Sequence, residues 1–299
     1  MKKIIKIKKI DRLRYIWIFY GGLAFIVAIS LYFTWFRIGA AKTTKTITVK
    51  SYKVACVPNV QAEAFLAKAT NSTTILYGKN IHNQLSPASL TKVMTAVLAA
   101  ESGRLNDIVT ITQEAKAVEP YKFGAIVGDK FLLKDLLIAT MVSSSNDAAM
   151  AIGIHLGGSS DRFATMMNTK AKELGMKNTH FTNPCGLDIG ENMSTAYDLM
   201  LLTEHAIKLP EINTIANYRK VLISNIYNTK QYKIKTHNKL LEYNPMAVGL
   251  KTGYTIKAGP CLIARAKNGK KDAILVILHS GRGARWGISK KYFDLILKQ

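Results

Sequence analysis

An α+β architecture is what this 299-residue sequence predicts: one mixed sheet, a helical subdomain inserted into it, and a single membrane-spanning helix ahead of both. Three observations carry that expectation. Runs with β character occur at both ends of residues 60–299. The chain between them has helical periodicity. Residues 15–36 contain no charged side chain.

The uncharged stretch is long enough to cross a hydrocarbon core as a helix. Tyr15, Trp17 and Tyr20 mark one end and Tyr32 and Trp35 the other, as interfacial aromatics do. Lys2, Lys3, Lys6, Lys8, Lys9, Arg12 and Arg14 precede it, and positive charge on that flank keeps it cytoplasmic. The expected plan is a basic cytoplasmic tail over 1–14, an anchor or signal sequence over 15–37, a linker over 38–59 and a folded domain over 60–299, outside the cytoplasm. Gly39-Ala40-Ala41 offers a cleavage site, so secretion after cleavage near Ala41 is the alternative; the apolar core is longer than signal sequences use, which favours the anchor.

The net charge is +23. A surface that basic attracts anionic polymers or membranes. Export argues against nucleic acid as the partner. Cys56, Cys185 and Cys261 are widely spaced and odd in number, which is not a disulfide framework. No pair of histidines has zinc-site spacing, so neither metal nor cofactor is expected. Cys261 lies in an apolar run and reads as a buried thiol.

Within the domain, 61–68 and 73–77 read as strands joined by the turn signal Ala69-Thr70-Asn71-Ser72. Residues 90–100 read as a helix. The region 112–208 is helical in pattern, with helices over 132–141, 147–156 and 161–174. Strands return after about 219, with runs at 248–255, 261–267 and 273–279, broken by Lys257-Ala258-Gly259-Pro260 and Asn268-Gly269-Lys270-Lys271. A last amphipathic helix covers 285–298. A cleft is expected between the sheet and the inserted helices.

Three short motifs fall around that cleft: Ser89-Leu90-Thr91-Lys92 at a helix start, Ser144-Ser145-Asn146 between helices, and Lys251-Thr252-Gly253 on a strand. Each is weak alone; their order and placement are specific. A serine hydroxyl needs a base to become a nucleophile. Lys92, three residues after Ser89 and on the same face, can be that base if its amine is neutral. Burial and a second cation, for which Lys251 is the obvious candidate, both disfavour the charged form. The helix start favours a developing oxyanion at Ser89.

These motifs occur together in β-lactamases and penicillin-binding proteins. With Ser86-Pro87-Ala88 before the first, Asp147-Ala148-Ala149 after the second, and Gly249-Leu250 before and Tyr254-Thr255 after the third, the sequence resembles the serine-type D-alanyl-D-alanine carboxypeptidases. These are low-molecular-mass penicillin-binding proteins of the β-lactamase-like transpeptidase superfamily. The resemblance covers about residues 60–290. It implies an antiparallel sheet flanked by helices plus an all-α subdomain. It also implies a serine hydrolase that removes the terminal D-alanine from peptidoglycan stem peptides and is inhibited by β-lactams. By position, Ser89 is the acylated residue, Lys92 its general base and Ser144 the proton relay to the departing D-alanine. Asn146 holds the substrate backbone. Lys251, Thr252, Gly253 and Tyr254 belong to the binding strand, and the N–H groups of Ser89 and Tyr254 form the oxyanion hole. Arg285, with Arg282 as the alternative, binds the terminal carboxylate. Anionic wall polymers are a further candidate partner.

Other readings are a β-lactamase, a peptidoglycan endopeptidase and a non-catalytic module that binds wall peptides. Class A β-lactamases carry Asp where this chain has Ser145, and a Glu-x-x-x-Asn context is missing between the second and third motifs. Cys185, near the expected cleft, reads as a packing residue.

Overall fold

The computed structural model describes residues 55–56 and 59–298. The tail, the 15–37 segment and most of the 38–59 linker lie outside them. Among the described residues no helix is long and apolar enough to cross a membrane.

Six strands form the central sheet: β1 (Ala55–Cys56), β2 (Ala62–Ala69), β3 (Ile75–Lys79), β8 (Ala247–Thr255), β9 (Gly259–Asn268) and β10 (Lys271–Ser280). Their spatial order is β1-β3-β2-β10-β9-β8, so β2 from the start of the domain and β10, its last strand, meet at the centre. Phe65 pairs with Ile277 and Ile277 with Leu262. All pairs are antiparallel except β1 on β3, which is parallel. That short strand falls within the stretch read as linker and pairs with Tyr77 and Gly78; an open sheet edge offers unpaired backbone groups to any extended neighbour. One correction concerns Gly259 and Pro260, which were expected to break the chain and instead start β9.

The central strands are buried on both faces, which is why they read as continuous apolar runs rather than alternations. Phe65, Ala67, Leu262, Ala264, Leu275 and Ile277 face one side. There they pack against Ile288, Tyr292, Phe293 and Leu297 of the last helix, named α9 below. Ala64, Leu66, Ile263, Ile274 and Val276 face the other side, toward the helical subdomain.

That subdomain comprises α1 (Lys92–Glu101), the short α2 (Gln113–Ala117), α3 (Leu133–Val142), α4 (Asn146–Gly157), α5 (Ser160–Glu173), α6 (Ala196–Ala206) and α7 (Pro210–Ile215). The four-residue α8 (Leu240–Tyr243) precedes β8, and α9 (Ala284–Leu297) ends the domain. Two small antiparallel strand pairs accompany the helices: β4 (Ile108–Thr110) with β5 (Lys130–Leu132), which enclose α2, and the hairpin of β6 (Lys220–Ser224) with β7 (Gln231–Lys235) after α7. The first was not expected. Its strands have three residues each, too short for a period to show.

Candidate active site

The chain enters α1 through a 3-10 turn, Ala88–Thr91. The helix expected over 90–100 therefore has a tighter first turn than its sequence suggests. In such a turn positions i and i+3 eclipse, and the Lys92 Nζ lies 2.9 Å from the Ser89 Oγ. Two further contacts fix the amine: Asn146 Oδ1 and the Cys185 carbonyl each accept from it at 2.6 Å. Lys92 is completely buried. Burial pulls its pKa down to about 8, against opposing fields from Cys185 and Asp147.

That set of contacts limits the chemistry. A neutral amine has two N–H donors and one lone pair. With a carbonyl and an amide oxygen taking the two donors, the lone pair is left for the Ser89 hydroxyl, which can then give up its proton to Lys92.

Ser144 occupies the loop between α3 and α4 in a left-handed conformation (φ 62°) that costs a non-glycine residue about 1–2 kcal/mol. Its hydroxyl accepts from Lys251 Nζ at 2.8 Å, and Lys251 also donates to the Thr252 carbonyl at 2.9 Å. Lys251 is buried, and burial, the Lys92 ammonium and Arg285 together hold it well below the ordinary lysine range. Strand β8 runs directly against the 3-10 turn. A Cβ on Gly253 would stand 3.1 Å from the Pro87 carbonyl and 3.3 Å from the Ser89 nitrogen, so a bare residue there allows the close approach.

The loop 183–187 is the third wall. The Asn183 side chain accepts from the N–H groups of Cys185 (3.1 Å), Gly186 (2.8 Å) and Leu187 (3.1 Å). Thr95 of α1 donates to the Pro184 carbonyl at 2.7 Å. Gly186 is left-handed (φ 80°), and a Cβ there would come within 1.9 Å of the Ala88 carbonyl. Together these contacts set the Cys185 carbonyl against Lys92. The Cys185 thiol is buried, donates to the Asn146 carbonyl at 3.3 Å and is pushed up to about 11 by burial, so it packs rather than reacts. Cys261 is likewise buried and pushed up to about 11.

A cavity of about 310 Å³ opens beside Ser89, lined by Tyr121, Ser144, His237, Thr252, Gly253, Tyr254 and Arg285. The structure thus gathers Ser89, Ser144, Thr252, Gly253, Tyr254 and Arg285 around one space, with Lys92, Asn146 and Lys251 in contact with its walls. Arg285 Nη1 donates to the Gly253 and Cys261 carbonyls at 3.0 Å each, and the guanidinium lies 4.6 Å over the Trp286 ring. Arg282 is exposed and does not line the cavity.

Sequence reasoning missed four contributors. Tyr121 is left-handed (φ 58°), and its carbonyl accepts from the Asn146 N–H at 2.7 Å. His237 forms an edge contact with the Tyr121 ring at 6.1 Å. Partial burial and the Lys251 charge push the His237 imidazolium below its usual range. Asp147 accepts from the N–H groups of Phe123 and Gly124 at 3.2 Å each, which holds the Tyr121 loop over α4. Asn183 holds its loop through the N–H groups of 185–187 and the Leu187 carbonyl, with one further bond to the Thr182 hydroxyl. Among the described residues no cluster of His, Cys, Asp and Glu could hold a metal ion.

A Ser–Lys pair at the start of a helix, a second Ser–Lys pair facing it, and an edge strand of the sheet running against them define the class: a serine DD-peptidase fold. The profile of the D-alanyl-D-alanine carboxypeptidase family matches residues 51–281, and the chain belongs to that family. It is 35% identical over 209 residues to the D-alanyl-D-alanine carboxypeptidase DacF of Bacillus subtilis, covering 68% of this chain and 53% of that protein. To DacD of Escherichia coli it is 35% identical over 234 residues, covering 74% and 59%. The chain thus spans a little over half the length of these two relatives. A mutant of the Streptomyces K15 DD-transpeptidase superposes with a TM-score of 0.75 at 30% identity, covering 80% of this chain and 98% of that one.

Asn183→Ala is expected to lower the unfolding free energy by about 3 kcal/mol, because three N–H groups lose their common acceptor. Urea denaturation checks it. A stability loss under about 1 kcal/mol would contradict the role given to Asn183 in the 183–187 loop.

Proposed function

We propose that the chain is a serine D-Ala-D-Ala carboxypeptidase. It would remove the terminal D-alanine from peptidoglycan stem peptides through an acyl-enzyme, and β-lactams would acylate the same serine. The observation that carries the reading is the Lys92–Ser89 contact, whose other Lys92 partners are fixed acceptors, opening on a cavity that also holds Ser144, Thr252 and Arg285.

Ser89 Oγ attacks the carbonyl of the penultimate D-alanine as its proton passes to Lys92. The N–H groups of Ser89 and Tyr254 receive the oxyanion. Ser144, hydrogen-bonded to Lys251, hands its proton to the departing D-alanine amine and is replenished with the proton that Lys92 took, so the C–N bond breaks to leave an ester on Ser89 and a neutral Lys92. Water then attacks the ester with Lys92 as base, and Ser89 recovers its proton. Arg285, supported by Thr252 and the backbone of Gly253, reads the free carboxylate that distinguishes the end of a peptide from its middle. Asn146 orients the acyl-side backbone through the hydrogen that Pro120 leaves free: its Nδ2 already donates to that carbonyl at 2.5 Å. Attack by an amine in place of water would make the same site a transpeptidase, as the K15 protein is named.

We further propose that 15–37 is an uncleaved anchor, that 38–54 spaces the domain from the membrane, and that the site works outside the cytoplasm. The uncharged span and the basic flank before it support this. The net charge of +23 makes anionic wall polymers a reasonable further partner.

The purified protein should release D-alanine from a peptide ending in D-Ala-D-Ala, and penicillin should label the peptide containing Ser89. Ser89→Ala should lose both. Arg285→Ala should lose about 30- to 150-fold in kcat/KM, the cost of one charge-assisted contact. Amidating the substrate's C-terminus should cost the wild type a similar factor and this variant little more. Undiminished labelling of Ser89→Ala would refute the assignment. Glycine added as acceptor tests the amine route: a new glycyl product in place of free acid would favour the transpeptidase.

For the location, the protein should stay with membranes through a high-salt wash, since salt screens charge and not insertion. A mature chain starting near Lys42 and found in the medium would contradict the anchor.

A further inference from the structure

The hairpin of β6 and β7 covers the helical subdomain with one face and leaves the other open. Ile223 and Ile234 are buried, Val221 and Tyr232 are half-buried beside them, and all four pack into the helical core. Side chains alternate along a strand, so Lys220, Leu222, Lys233 and Lys235 take the outer face, and all four are exposed. The register sets Lys220 directly opposite Lys235 and Leu222 opposite Lys233. Like charges facing each other across a strand pair destabilise it, and little nearby offsets them. Residues 212–241 hold six basic side chains and no acidic one. Lys220 and Lys233 enter no ion pair among the described residues, and Lys235 reaches only Glu242, at 3.9 Å. Lys230, by contrast, is paired with Asp129.

A cavity of about 620 Å³ opens at the base of this hairpin, lined by Tyr218, Arg219, Lys220, Lys235, Leu241 and Glu242 among others. It shares no residue with the catalytic cavity. The two are nevertheless neighbours along the chain. The Thr236 N–H donates to the Arg219 carbonyl at 3.0 Å, which closes the hairpin, and His237 after it stands on the wall of the catalytic cavity.

We infer that the outer face of β6–β7 and the groove at its base dock a linear polyanion of the cell envelope, a chain of phosphodiester-linked units. The inference rests on the location outside the cytoplasm proposed above, and charge complementarity carries it. Lys233 and Lys235 repeat a positive charge about 7 Å apart along β7, two residues of strand, and an extended polymer with one phosphate per unit presents a matching series of charges. Lys220 and Arg219 continue the series into the groove. The groove selects a chain over a bilayer, because a flat membrane surface cannot enter a cavity. Docking relieves the repulsion between Lys220 and Lys235 and holds the catalytic cleft beside the wall. These side chains take no part in the bond-making steps.

The test must separate this face from the net charge of +23, which draws polyanions to the whole molecule. The probe is fluorescently labelled poly(glycerol phosphate), added to the full-length protein in detergent. The wild type should bind it with an affinity that falls as salt rises. Lys220→Gln/Lys233→Gln/Lys235→Gln should weaken binding about tenfold. Lys172→Gln/Lys177→Gln/Lys291→Gln removes the same charge from exposed positions elsewhere and should leave binding nearly unchanged. Both variants should release D-alanine from a short peptide as the wild type does, since none of the six lysines lines the catalytic cavity. Equal losses of polymer binding in the two variants would overturn the inference. So would a loss confined to binding of phosphatidylglycerol nanodiscs, which would assign the face to lipid. Lysine acetylation of the wild type, mapped by mass spectrometry, needs no variant: the polymer should protect Lys220, Lys233 and Lys235 and leave Lys172, Lys177 and Lys291 reactive, and uniform protection would overturn the inference. Binding is measured in solution, so its failure would leave the proposed location standing, which the high-salt wash tests separately.

Discussion

The amine of Lys92 is wholly buried, and the rest of the site depends on how it is held there. An ammonium in that position loses its hydration, which disfavours the charge. The Asn146 side chain and the Cys185 carbonyl compensate by accepting two hydrogen bonds, and they do so for either protonation state. What differs between the states is the third direction, toward Ser89. The ammonium would donate to the hydroxyl, whereas the neutral amine accepts from it. Burial therefore both lowers the pKa and turns the lysine into a base aimed at one atom. Across the cleft the same burial acts on Lys251, where the Lys92 charge and Arg285 add to it.

Holding two acceptors in place requires a rigid surround. Asn183 gathers three N–H groups, so the turn that carries the Cys185 carbonyl is set by one side chain. Asp147 does the same for the loop of Tyr121 on the other flank. Ala88, Tyr121 and Ser144 all take left-handed backbone conformations without being glycine. Strain of this kind persists where neighbours over-determine the backbone, and all three lie within or beside the cleft. The sheet supplies the stiffness. β8 is pinned by its pairing with β9 from Thr252–Leu262 to Thr255–Gly259, and it brings Lys251 and Gly253 against the helix start.

Much of this was legible in the sequence, for definable reasons. Long elements with a strong pattern were readable, such as β9, β10 and α3 to α5, because period and length agree. The motif residues were readable because their chemistry depends on side chains. What sequence reading missed acts through backbone or through distant proximity. The Cys185 carbonyl belongs to a residue whose side chain only packs, and nothing in a side-chain motif marks a main-chain acceptor. Tyr121 and His237 meet only because two unrelated loops converge. The β4–β5 pair is too short to show a period, and β1 pairs with the sheet edge although its residues look like linker. The 3-10 turn at Ser89 was hidden because its residues suit an α-helix equally well.

The central claim is that Lys92 can act as the base because burial lowers its pKa far enough to leave a usable neutral fraction near physiological pH. The most direct measurement is a titration of the Lys92 side chain by NMR, with selectively labelled lysine, in the folded unacylated protein. A group with a depressed pKa is charged below its midpoint and neutral above it. The account predicts a midpoint of about 8, with the rate of acylation by a β-lactam rising over the same pH range. A midpoint near the ordinary lysine value of about 10.4, with acylation already at full rate at neutral pH, would contradict it.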